Sequence, residues 1–464
     1  MNPILLIDFG STYTKVTAVD TDAPAVLGVA SAHTTVTTDV SEGLNRALAD
    51  LEKQTGSLAF QARYACSSAA GGLRMIACGL VPSLTVEAAK RAALGAGAKV
   101  IRVYSYELTE EDIEEIAALS PDILLLTGGT DGGNRANIEQ NARMLATAGG
   151  SFPIVIAGNR NARTACQKAL ADSGHEVLIT ENVMPVFNQL NILPVQGVIR
   201  DLFLRRIIHA KGLSHQQSLL DGILMPTPAA VLRALELLSG GTEGRSGLGD
   251  LAAVDLGGAT TDVYSIADGL PSGASTLLRG LPEPHAKRTV EGDIGMRYSA
   301  QGVAEAAGLA RLCALSGLTE QAVRDQLAHI AQHPDVLPAP GDALDALDDA
   351  LAKEAVRLAL IRHSGTIEQV YTPAGLVFQQ TGKDLTGIDA LVLTGGALVF
   401  GGRAGAVARY AMESRDAPES LKPKGARILL DTQYTLAAMG LLAEHFPKAA
   451  FDLMITNLSQ VEKE

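Results

Sequence analysis

The chain has 464 residues, 47% of them apolar, so global disorder is excluded and two or more domains are expected. Its formal net charge of −13 disfavours nucleic acid and anionic lipid as partners. The start MNPILLIDFG lacks the basic segment of a signal peptide, and no apolar run is long enough to cross a bilayer, which predicts a soluble, cytoplasmic protein without a membrane partner.

Two short apolar strands open the chain, at Ile4 to Ile7 and at Thr14 to Val19. Their separation by small residues predicts a hairpin. The residues that lead into and form the turn include Asp8, Gly10, Ser11 and Thr12. Lys15 follows early in the second strand.

Periodic apolar positions then predict a series of helices. They are expected at Glu42–Lys53, Thr85–Ala96, Glu110–Leu119, Asn137–Ala148 and Ala162–Asp172. Among them, the run DILLLTGG from Asp122 to Gly129 predicts a buried strand that stops at a glycine pair. Strands thus alternate with helices, which indicates the α/β class.

The pattern of the first hairpin returns near residue 250. The stretch Ser239 to Asp250, rich in glycine and polar residues, predicts a flexible connector. Two strands follow, Leu251 to Val254 and Val263 to Ile266. The residues between them include Asp255, Gly257, Gly258, Thr260, Thr261 and Asp262. The run DALVLTGG from Asp389 to Gly396 also repeats DILLLTGG, so two similar halves are predicted, at residues 1–195 and 196–464.

Three further segments have distinctive patterns. In RTVEGDIGMRYSA, Gly292 and Asp293 predict the start of a helix. The stretch Pro334 to Ala352 predicts a proline-rich loop that enters an acidic helix. Near the end, a strand is expected at Arg427 to Leu430 and a helix at about Tyr434 to Glu444.

The two hairpin turns have the composition of a polyphosphate site, because glycine lets backbone N–H groups approach an anion and hydroxyls add donors. The residues concerned are Gly10, Ser11, Thr12, Gly257, Gly258, Thr260 and Thr261. Lys15 can add a positive charge. A carboxylate beside phosphate requires an intervening cation, so Asp8 and Asp255 are predicted to hold hydrated Mg²⁺.

The four cysteines are scattered without the paired spacing of a disulfide framework or a zinc site. They are Cys66, Cys78, Cys166 and Cys313. Reduced thiols in a cytosolic protein are therefore expected.

IDFGSTYTKV and VDLGGATTDV resemble the two phosphate motifs of the actin, Hsp70 and sugar-kinase superfamily, and LVLTGGAL resembles its adenosine motif. The resemblance implies a two-lobed, ribonuclease H-like ATPase fold with a nucleotide cleft between the lobes, and ATP or ADP with Mg²⁺ as cofactors. It also implies that Lys15 contacts phosphate, that Asp262 is a further metal-side carboxylate, and that Asp8, Asp255 and Asp262 form the catalytic set.

By the same resemblance, Gly395 and Gly396 would lie against the adenosine, with TLAAMGLL as the helix beneath it. Gly128 and Gly129 would be the pseudo-symmetric counterpart without adenine, either structural or binding. Glu291 and Arg297 would either reach a nucleotide or partner or be solvated charges near a helix cap.

One position departs from the superfamily pattern. Members that hydrolyse ATP usually carry Glu or Gln ahead of the second phosphate hairpin, on a helix that joins the lobes. This chain has Met225 before Pro226 and Thr227, and a thioether cannot polarise water. Slow hydrolysis is therefore expected, unless Asp262 or a partner supplies the missing group.

A closer resemblance joins these motifs with LLLTGGTDGGN, IVIAGN, PTPAAV, EGDIGMR and QQTGKDL. Together they resemble the MutL or GlmL family, accessory proteins of coenzyme B12-dependent glutamate mutase that are unrelated to mismatch repair. The resemblance implies an ATP-dependent reactivating chaperone whose partner is a B12-dependent mutase, and it leaves homo-oligomerisation possible. A small-molecule kinase and an actin-like filament or scaffold protein of the same fold are the alternatives.

Overall fold

The computed structural model describes residues 1–10, 13–34, 40–67, 73–95, 98–210, 222–273, 275–373 and 375–461. The chain forms two compact units, Met1–Ala230 and Val231–Glu464. Both contain helices and sheets, which confirms the predicted α/β class. The boundary drawn from the sequence near residue 195 stays a prediction.

The strands and helices of the first unit follow the order β1 (Pro3–Phe9), β2 (Tyr13–Asp20), β3 (Ala25–His33), α1 (Val40–Thr55), β4 (Ala62–Ser67), β5 (Leu73–Gly79), α2 (Glu87–Gly95), β6 (Ala98–Ser105), α3 (Glu110–Leu119), β7 (Ile123–Leu126), α4 (Ala136–Leu145), β8 (Ile154–Ile156), α5 (Arg163–Leu170), β9 (Val177–Ile179), α6 (Leu193–Ala210) and β10 (Gly222–Pro226). A π-helical turn at Pro82–Val86 precedes α2, and a 3-10 turn at Arg160–Ala162 precedes α5. All five predicted helices are present, with bounds shifted by a few residues.

The first sheet of this unit has the order β10-β4-β1-β2-β3. Strands β1, β2 and β3 pair antiparallel, whereas β4 and β10 run parallel to β1. Every residue of β1 is buried, which explains why its sequence is almost continuously apolar rather than alternating. The predicted first hairpin is confirmed.

A second sheet of the first unit has the order β6-β5-β7-β8-β9, with all neighbours parallel. The run DILLLTGG supplies its central strand β7. We expected this run to be the counterpart of DALVLTGG, and that expectation was wrong. Both runs encode a buried strand that ends at glycines, and this pattern is compatible with any parallel sheet.

The second unit follows the order α7 (Thr227–Gly240, which begins in the first unit), β11 (Gly241–Thr242), β12 (Arg245–Ser246), β13 (Leu251–Leu256), β14 (Thr261–Ile266), β15 (Thr276–Arg279), β16 (Ala286–Glu291), α8 (Ala300–Ala307), α9 (Leu309–Ser316), α10 (Glu320–Gln332), α11 (Ala343–His363), β17 (Thr366–Thr372), β18 (Gly375–Thr381), β19 (Ala390–Thr394), α12 (Gly396–Phe400), α13 (Ala404–Glu413), β20 (Arg427–Asp431), α14 (Leu436–Ala443), α15 (Pro447–Asn457) and β21 (Leu458–Gln460). Strands β11 and β12 form a short hairpin within the predicted connector. The predicted second hairpin, the proline-rich entry to α11 and the last strand and helix are confirmed.

The main sheet of the second unit has the order β16-β14-β13-β19-β20-β21. Its first five strands repeat the first sheet of the first unit: three antiparallel strands, then two strands parallel to the first of them. Numbered along the chain within each sheet, both read 3-2-1-4-5. This duplicated order is that of the predicted ribonuclease H-like fold, and β4, not β7, is the counterpart of β19.

Lys383, from the run QQTGKDL, is a fully buried cation in the second unit. Its Nζ donates to the carbonyl oxygens of Ala267 (2.6 Å) and His285 (2.7 Å) and to Ser265 Oγ (3.3 Å). Burial, with the nearby Lys287, lowers the pKa of Lys383 to about 7. Lys383 thus joins the ends of β14 and β16 that lie away from the hairpin turn.

All four cysteines are free thiols, and three of the four are buried. Over the stretches that the structure covers, no helix has the length and apolarity needed to cross a membrane.

Candidate functional site

The first hairpin turn is tight, which explains its glycine. The Gly10 N–H donates to Tyr13 O at 3.1 Å. A Cβ on Gly10 would lie 2.5 Å from that same oxygen, closer than real contacts allow, so a side chain there would open the turn. Ser11 and Thr12, two of the predicted phosphate ligands, lie outside the described residues.

Asp8 and Lys15 face each other at the base of this hairpin. They are register partners in β1 and β2, and Lys15 Nζ lies 3.5 Å from Asp8 Oδ2. Asp8 Oδ1 accepts a hydrogen bond from Thr227 Oγ1 at 2.6 Å and from the Cys66 thiol at 3.5 Å. Burial, together with the Asp8 charge, raises the pKa of Cys66 well above its usual range, so this thiol stays protonated as a donor.

Thr227 is a site residue that sequence reasoning missed. It begins α7, directly after β10, and its only sequence signal is its place in the run Met-Pro-Thr. Met225 was expected on the helix that joins the lobes, and this was wrong, because Met225 is the register partner of Cys66 in strand β10. The Met225 side chain is only 5% exposed.

The second hairpin repeats the geometry of the first turn. The Gly257 N–H donates to Thr260 O at 3.0 Å, and a Cβ on Gly257 would lie 2.8 Å from that oxygen. At Gly258, by contrast, a Cβ would meet nothing closer than 3.8 Å. The Thr261 hydroxyl is buried and donates to Ile294 O at 3.0 Å, so a role as a phosphate ligand would require this bond to break.

The charges of the second hairpin differ from those of the first. Asp255 and Asp262 are register partners, so two carboxylates face each other across the strands. Arg288, on the neighbouring strand β16, lies with its guanidinium 2.6 Å from Asp262 Oδ1 and is only 7% exposed. Asp262 is therefore compensated by a fixed internal cation, whereas Asp255 is half-buried beside the turn.

The predicted adenosine motif touches the second hairpin. Gly395 follows β19 directly and has φ of +98°, and a Cβ there would lie 2.4 Å from Leu256 O and 2.8 Å from Asp255 Oδ1. Only glycine permits this approach. At Gly396, which begins α12, the position of a Cβ has no atom within 4 Å. The structure thus brings Asp255, Gly257, Gly395 and Gly396 to one region of the second unit.

Asp431 links β19, the strand of the predicted adenosine motif, to helix α14. Its Oδ2 accepts from Thr394 Oγ1 at 3.1 Å and from the Leu436 N–H at 3.1 Å. Burial raises the pKa of Asp431. Because it accepts from the Leu436 N–H, the carboxyl caps the start of α14, the helix formed by the predicted run TLAAMGLL.

The segment EGDIGMRYS supports the second turn through backbone bonds. The Met296 N–H donates to Gly257 O at 3.0 Å, and the N–H groups of Arg297 and Tyr298 donate to Gly258 O at 2.8 and 2.9 Å. The predicted helix start at Gly292 and Asp293 was wrong, because this segment crosses the turn and the helix α8 begins only at Ala300.

The two charged residues singled out in that segment are engaged within the protein. Arg297 makes a bidentate pair with Asp348, with N–O distances of 2.9 and 2.7 Å. Glu291 Oε2 accepts from Arg362 at 2.8 Å. Both residues are thus held in ion pairs within the segment that supports the turn. In this structure they are neither solvated charges nor ligand-binding residues.

The donor set fits a nucleotide-bound cation better than a permanent metal centre. No group of three or more His, Cys, Asp or Glu side chains arranged to hold a metal ion occurs in the part of the chain that the structure describes. Each hairpin instead offers one aspartate two residues before its turn glycine, Asp8 and Asp255, and the second hairpin adds Asp262, which is paired with Arg288. Mg²⁺ commonly binds through one or two carboxylates together with substrate phosphates.

Comparisons with known proteins identify relatives over the full length. A family model described as MutL protein matches residues 4–458. Protein MutL of Clostridium tetanomorphum is 46% identical over 463 residues, which are 99% of this chain and 100% of that protein.

Two solved structures are also similar to the chain. Xylulose kinase from Bifidobacterium adolescentis shares 12% identity with a TM-score of 0.35, covering 99% of this chain and 96% of that one. Diol dehydratase-reactivating factor in nucleotide-free form shares 12% identity with a TM-score of 0.35, covering 96% and 100%. TM-scores of this size do not support an inference about this chain, so its fold assignment rests on the duplicated strand order.

Proposed function

The chain belongs to the MutL protein family, and from this premise we propose that it is an ATP-binding accessory protein that reactivates a coenzyme B12-dependent mutase, glutamate mutase or a related enzyme. The motif resemblance supports the reactivating role: exchange of a damaged corrinoid for intact adenosylcobalamin. ATP and Mg²⁺ are the proposed cofactors.

The observation that carries the nucleotide part of the proposal is the duplicated aspartate-led hairpin. In both copies a glycine N–H closes the turn onto a carbonyl, and an aspartate stands two residues before that glycine. In a Mg²⁺-nucleotide complex, Asp8 and Asp255 would bind metal-coordinated waters, and Lys15 would bind phosphate. Gly395 and Gly396 would lie against adenosine, since the position of a Cβ on Gly396 has no atom within 4 Å.

Bound ATP would supply a ligand whose loss or hydrolysis changes the preferred conformation of the protein. The chain's own groups favour a slow change. Met225 offers no acceptor for a water proton, and Asp262 is held by Arg288. A switch that acts once per damaged enzyme tolerates slow hydrolysis, whereas a metabolic kinase does not.

A reactivator must bind the damaged mutase more tightly than the intact one, because a ligand shifts an equilibrium only by its differential affinity. Nucleotide state would then set which form of the partner is released. This logic requires binding and conformational change, and it places no demand on fast phosphate chemistry.

The test is a reactivation assay. A cognate B12-dependent mutase is inhibited with hydroxocobalamin and mixed with free adenosylcobalamin, Mg²⁺ and this protein, with ATP, with ADP or without nucleotide. Product formation should recover only with ATP. Equal recovery in all three mixtures, with the protein folded, would remove the reactivating role.

A matched variant separates the roles of nucleotide and of simple contact. Asp255→Asn keeps the side-chain size and removes the charge proposed to face Mg²⁺. It should abolish ATP-dependent recovery while leaving the protein folded by circular dichroism. Full recovery by this variant would contradict the proposed site even if the wild type reactivates.

A further inference from the structure

The hairpin of β1 and β2 has a second face, opposite the one that carries Asp8 and Lys15. Neighbouring residues of a strand point to opposite faces, and the register pairs Phe9 with Thr14, one position along from the pair of Asp8 and Lys15. Phe9 and Thr14 are both fully buried. Their side chains therefore lie on the face of the hairpin that is turned away from the proposed nucleotide site.

Two hydroxyl groups on this buried face lead to the carbonyl of the turn glycine. Thr34 directly follows β3 and is only 2% exposed, and its Oγ1 donates to Gly10 O at 3.1 Å. The hydroxyl oxygens of Thr14 and Thr34 lie 3.0 Å apart. A hydroxyl has one proton, and Thr34 uses its proton on Gly10, so Thr14 must be the donor to Thr34. The order of donation is therefore from Thr14 to Thr34 and from Thr34 to the Gly10 carbonyl.

Close packing of α1 against the end of β3 fixes the place of Thr34. Gly43, a buried residue of α1, approaches so closely that a Cβ on it would lie 2.6 Å from His33 O and 3.6 Å from the Thr34 Cα. Only a residue without a side chain permits this approach. The backbone that carries the Thr34 hydroxyl is thus held against α1.

The second hairpin holds the equivalent carbonyl with a different donor. Gly257 stands two residues after Asp255, as Gly10 stands two residues after Asp8. Gly257 O accepts from the Met296 N–H at 3.0 Å. In both hairpins, therefore, a donor from outside the hairpin holds the carbonyl of the turn glycine. The donor to the second turn is a backbone group, whereas the donor to the first is a single side chain.

We propose that Thr34 is a positioning residue for the phosphate-binding turn of the first hairpin. A carbonyl oxygen carries partial negative charge and would repel a phosphate placed beside it. The Thr34 hydroxyl keeps Gly10 O bonded on the buried side of the turn. Without this donor the carbonyl would turn towards solvent to find another, on the side where the phosphate binds. The proposal rests on the nucleotide site proposed above.

Calorimetry of Mg²⁺-ADP and of adenosine on the full chain tests the proposal. Thr34→Val keeps the shape of the side chain and removes its hydroxyl. It should weaken Mg²⁺-ADP binding about tenfold and leave adenosine binding unchanged, because adenosine has no phosphate. Thr34→Ser keeps the donor, so its affinity for Mg²⁺-ADP should stay within about threefold of the wild type. An equal loss of affinity for both ligands in Thr34→Val would overturn the proposal.

The wild type separates this proposal from the one on which it rests. If the folded wild type does not bind Mg²⁺-ADP, the nucleotide site and the role of Thr34 are both wrong. If the wild type binds Mg²⁺-ADP and Thr34→Val binds it equally well, only the role of Thr34 is wrong.

A matched control separates positioning from stability. Thr127 is also fully buried in the first unit, and its hydroxyl likewise donates to a backbone carbonyl, Cys78 O, at 2.8 Å. Thr127→Val should lower the melting temperature about as much as Thr34→Val does, and should leave the affinity for Mg²⁺-ADP unchanged. If Thr127→Val weakens binding as strongly as Thr34→Val, reduced stability explains both losses and the proposal is overturned.

A double-mutant cycle tests the order of donation. Thr14→Val removes the group that orients the Thr34 hydroxyl, so it should weaken Mg²⁺-ADP binding about threefold. The double variant Thr14→Val with Thr34→Val should bind no more weakly than Thr34→Val alone, because Thr14 acts only through Thr34. Losses of affinity that multiply in the double variant would overturn this order.

Discussion

The two hairpins share a backbone geometry and differ in charge at a single register position. Asp8 faces Lys15 across β1 and β2, whereas Asp255 faces Asp262 across β13 and β14. The second hairpin obtains its cation from Arg288 on the neighbouring strand. A duplicated turn can thus keep its backbone geometry while the charge balance moves to another strand.

This difference has a functional meaning. Lys15 belongs to the hairpin and lies at its base, so an incoming phosphate could compete with Asp8 for it. Arg288 is buried beneath Asp262 and serves the protein itself. We therefore expect the first hairpin to contribute to ligand affinity through charge and the second to depend on charge for its stability.

The largest expected effect follows from removing Arg288. Arg288→Met should lower the free energy of unfolding by about 3–5 kcal/mol, because Asp262 loses its buried partner and still faces Asp255. Lys15→Met should cost only about 1 kcal/mol, since Thr227 continues to donate to Asp8. Urea unfolding measures both, with the slope held equal. Equal losses would break the comparison, and adding Asp262→Leu to Arg288→Met should restore stability.

The pH dependence of stability also distinguishes the second hairpin from the first, because Lys383 joins the strands that carry the second hairpin. Its pKa is about 7 in the native state and ordinarily 10.5, so between these values the unfolded chain binds more protons. The free energy of unfolding should therefore rise by about 2–5 kcal/mol from pH 7 to pH 10.5. Urea unfolding at several pH values should show this rise in the wild type and in the exposed control Lys424→Met, and a clearly smaller rise in Lys383→Met, where buried Lys422, with its pKa lowered to about 8, still contributes. The same slope in all three proteins would contradict the assignment.

Charge removal at the two aspartates should affect binding more moderately. Asp8→Asn and Asp255→Asn should each weaken Mg²⁺-ADP binding by about tenfold to a hundredfold, and leave binding of adenosine unchanged. Asn at position 8 retains an oxygen acceptor for Thr227, so the fold should persist. Calorimetry with and without Mg²⁺ reports the change. Unaltered affinity would make these aspartates structural.

The smallest effect concerns hydrolysis. We expect a low ATPase rate, and Met225→Glu should raise it, measured as phosphate release, because it supplies the missing acceptor. The position is buried, so the pKa of the introduced carboxyl should be raised and the gain should grow with pH. Met225→Leu is the control that keeps the volume and adds no acceptor. If a folded Met225→Glu protein shows no gain, position 225 faces away from the reacting phosphate.

The sequence predicted both hairpins because their signals are local: an apolar strand, an aspartate and a small-residue turn. It did not predict the bond between Thr227 and Asp8, which are 219 residues apart. The same holds for the pair of Arg288 with Asp262, since pairing between strands, not local pattern, brings them together.

Errors arose where one pattern serves two structures. DILLLTGG and DALVLTGG both encode a buried strand that ends at glycines, and only long-range pairing decides that β7 and β19 belong to unrelated sheets. Gly292 and Asp293 fit a helix start as well as a turn. The hydrogen bond from the Met296 N–H to Gly257 O, with those from Arg297 and Tyr298 to Gly258 O, selects the turn, and no local signal reports these bonds.

The insertion of the second sheet between β4 and β10 has a consequence for the order in which the chain folds during synthesis. Strand β4 ends at Ser67, and its parallel partner β10 begins only at Gly222. At about 5–20 residues per second, a ribosome needs roughly 10–30 s to cover that interval. Strands β5 to β9 pair among themselves and can fold in the meantime. Until β10 emerges, β4 keeps an open edge and Asp8 lacks Thr227, so the nascent first unit is an expected client of general chaperones at that stage.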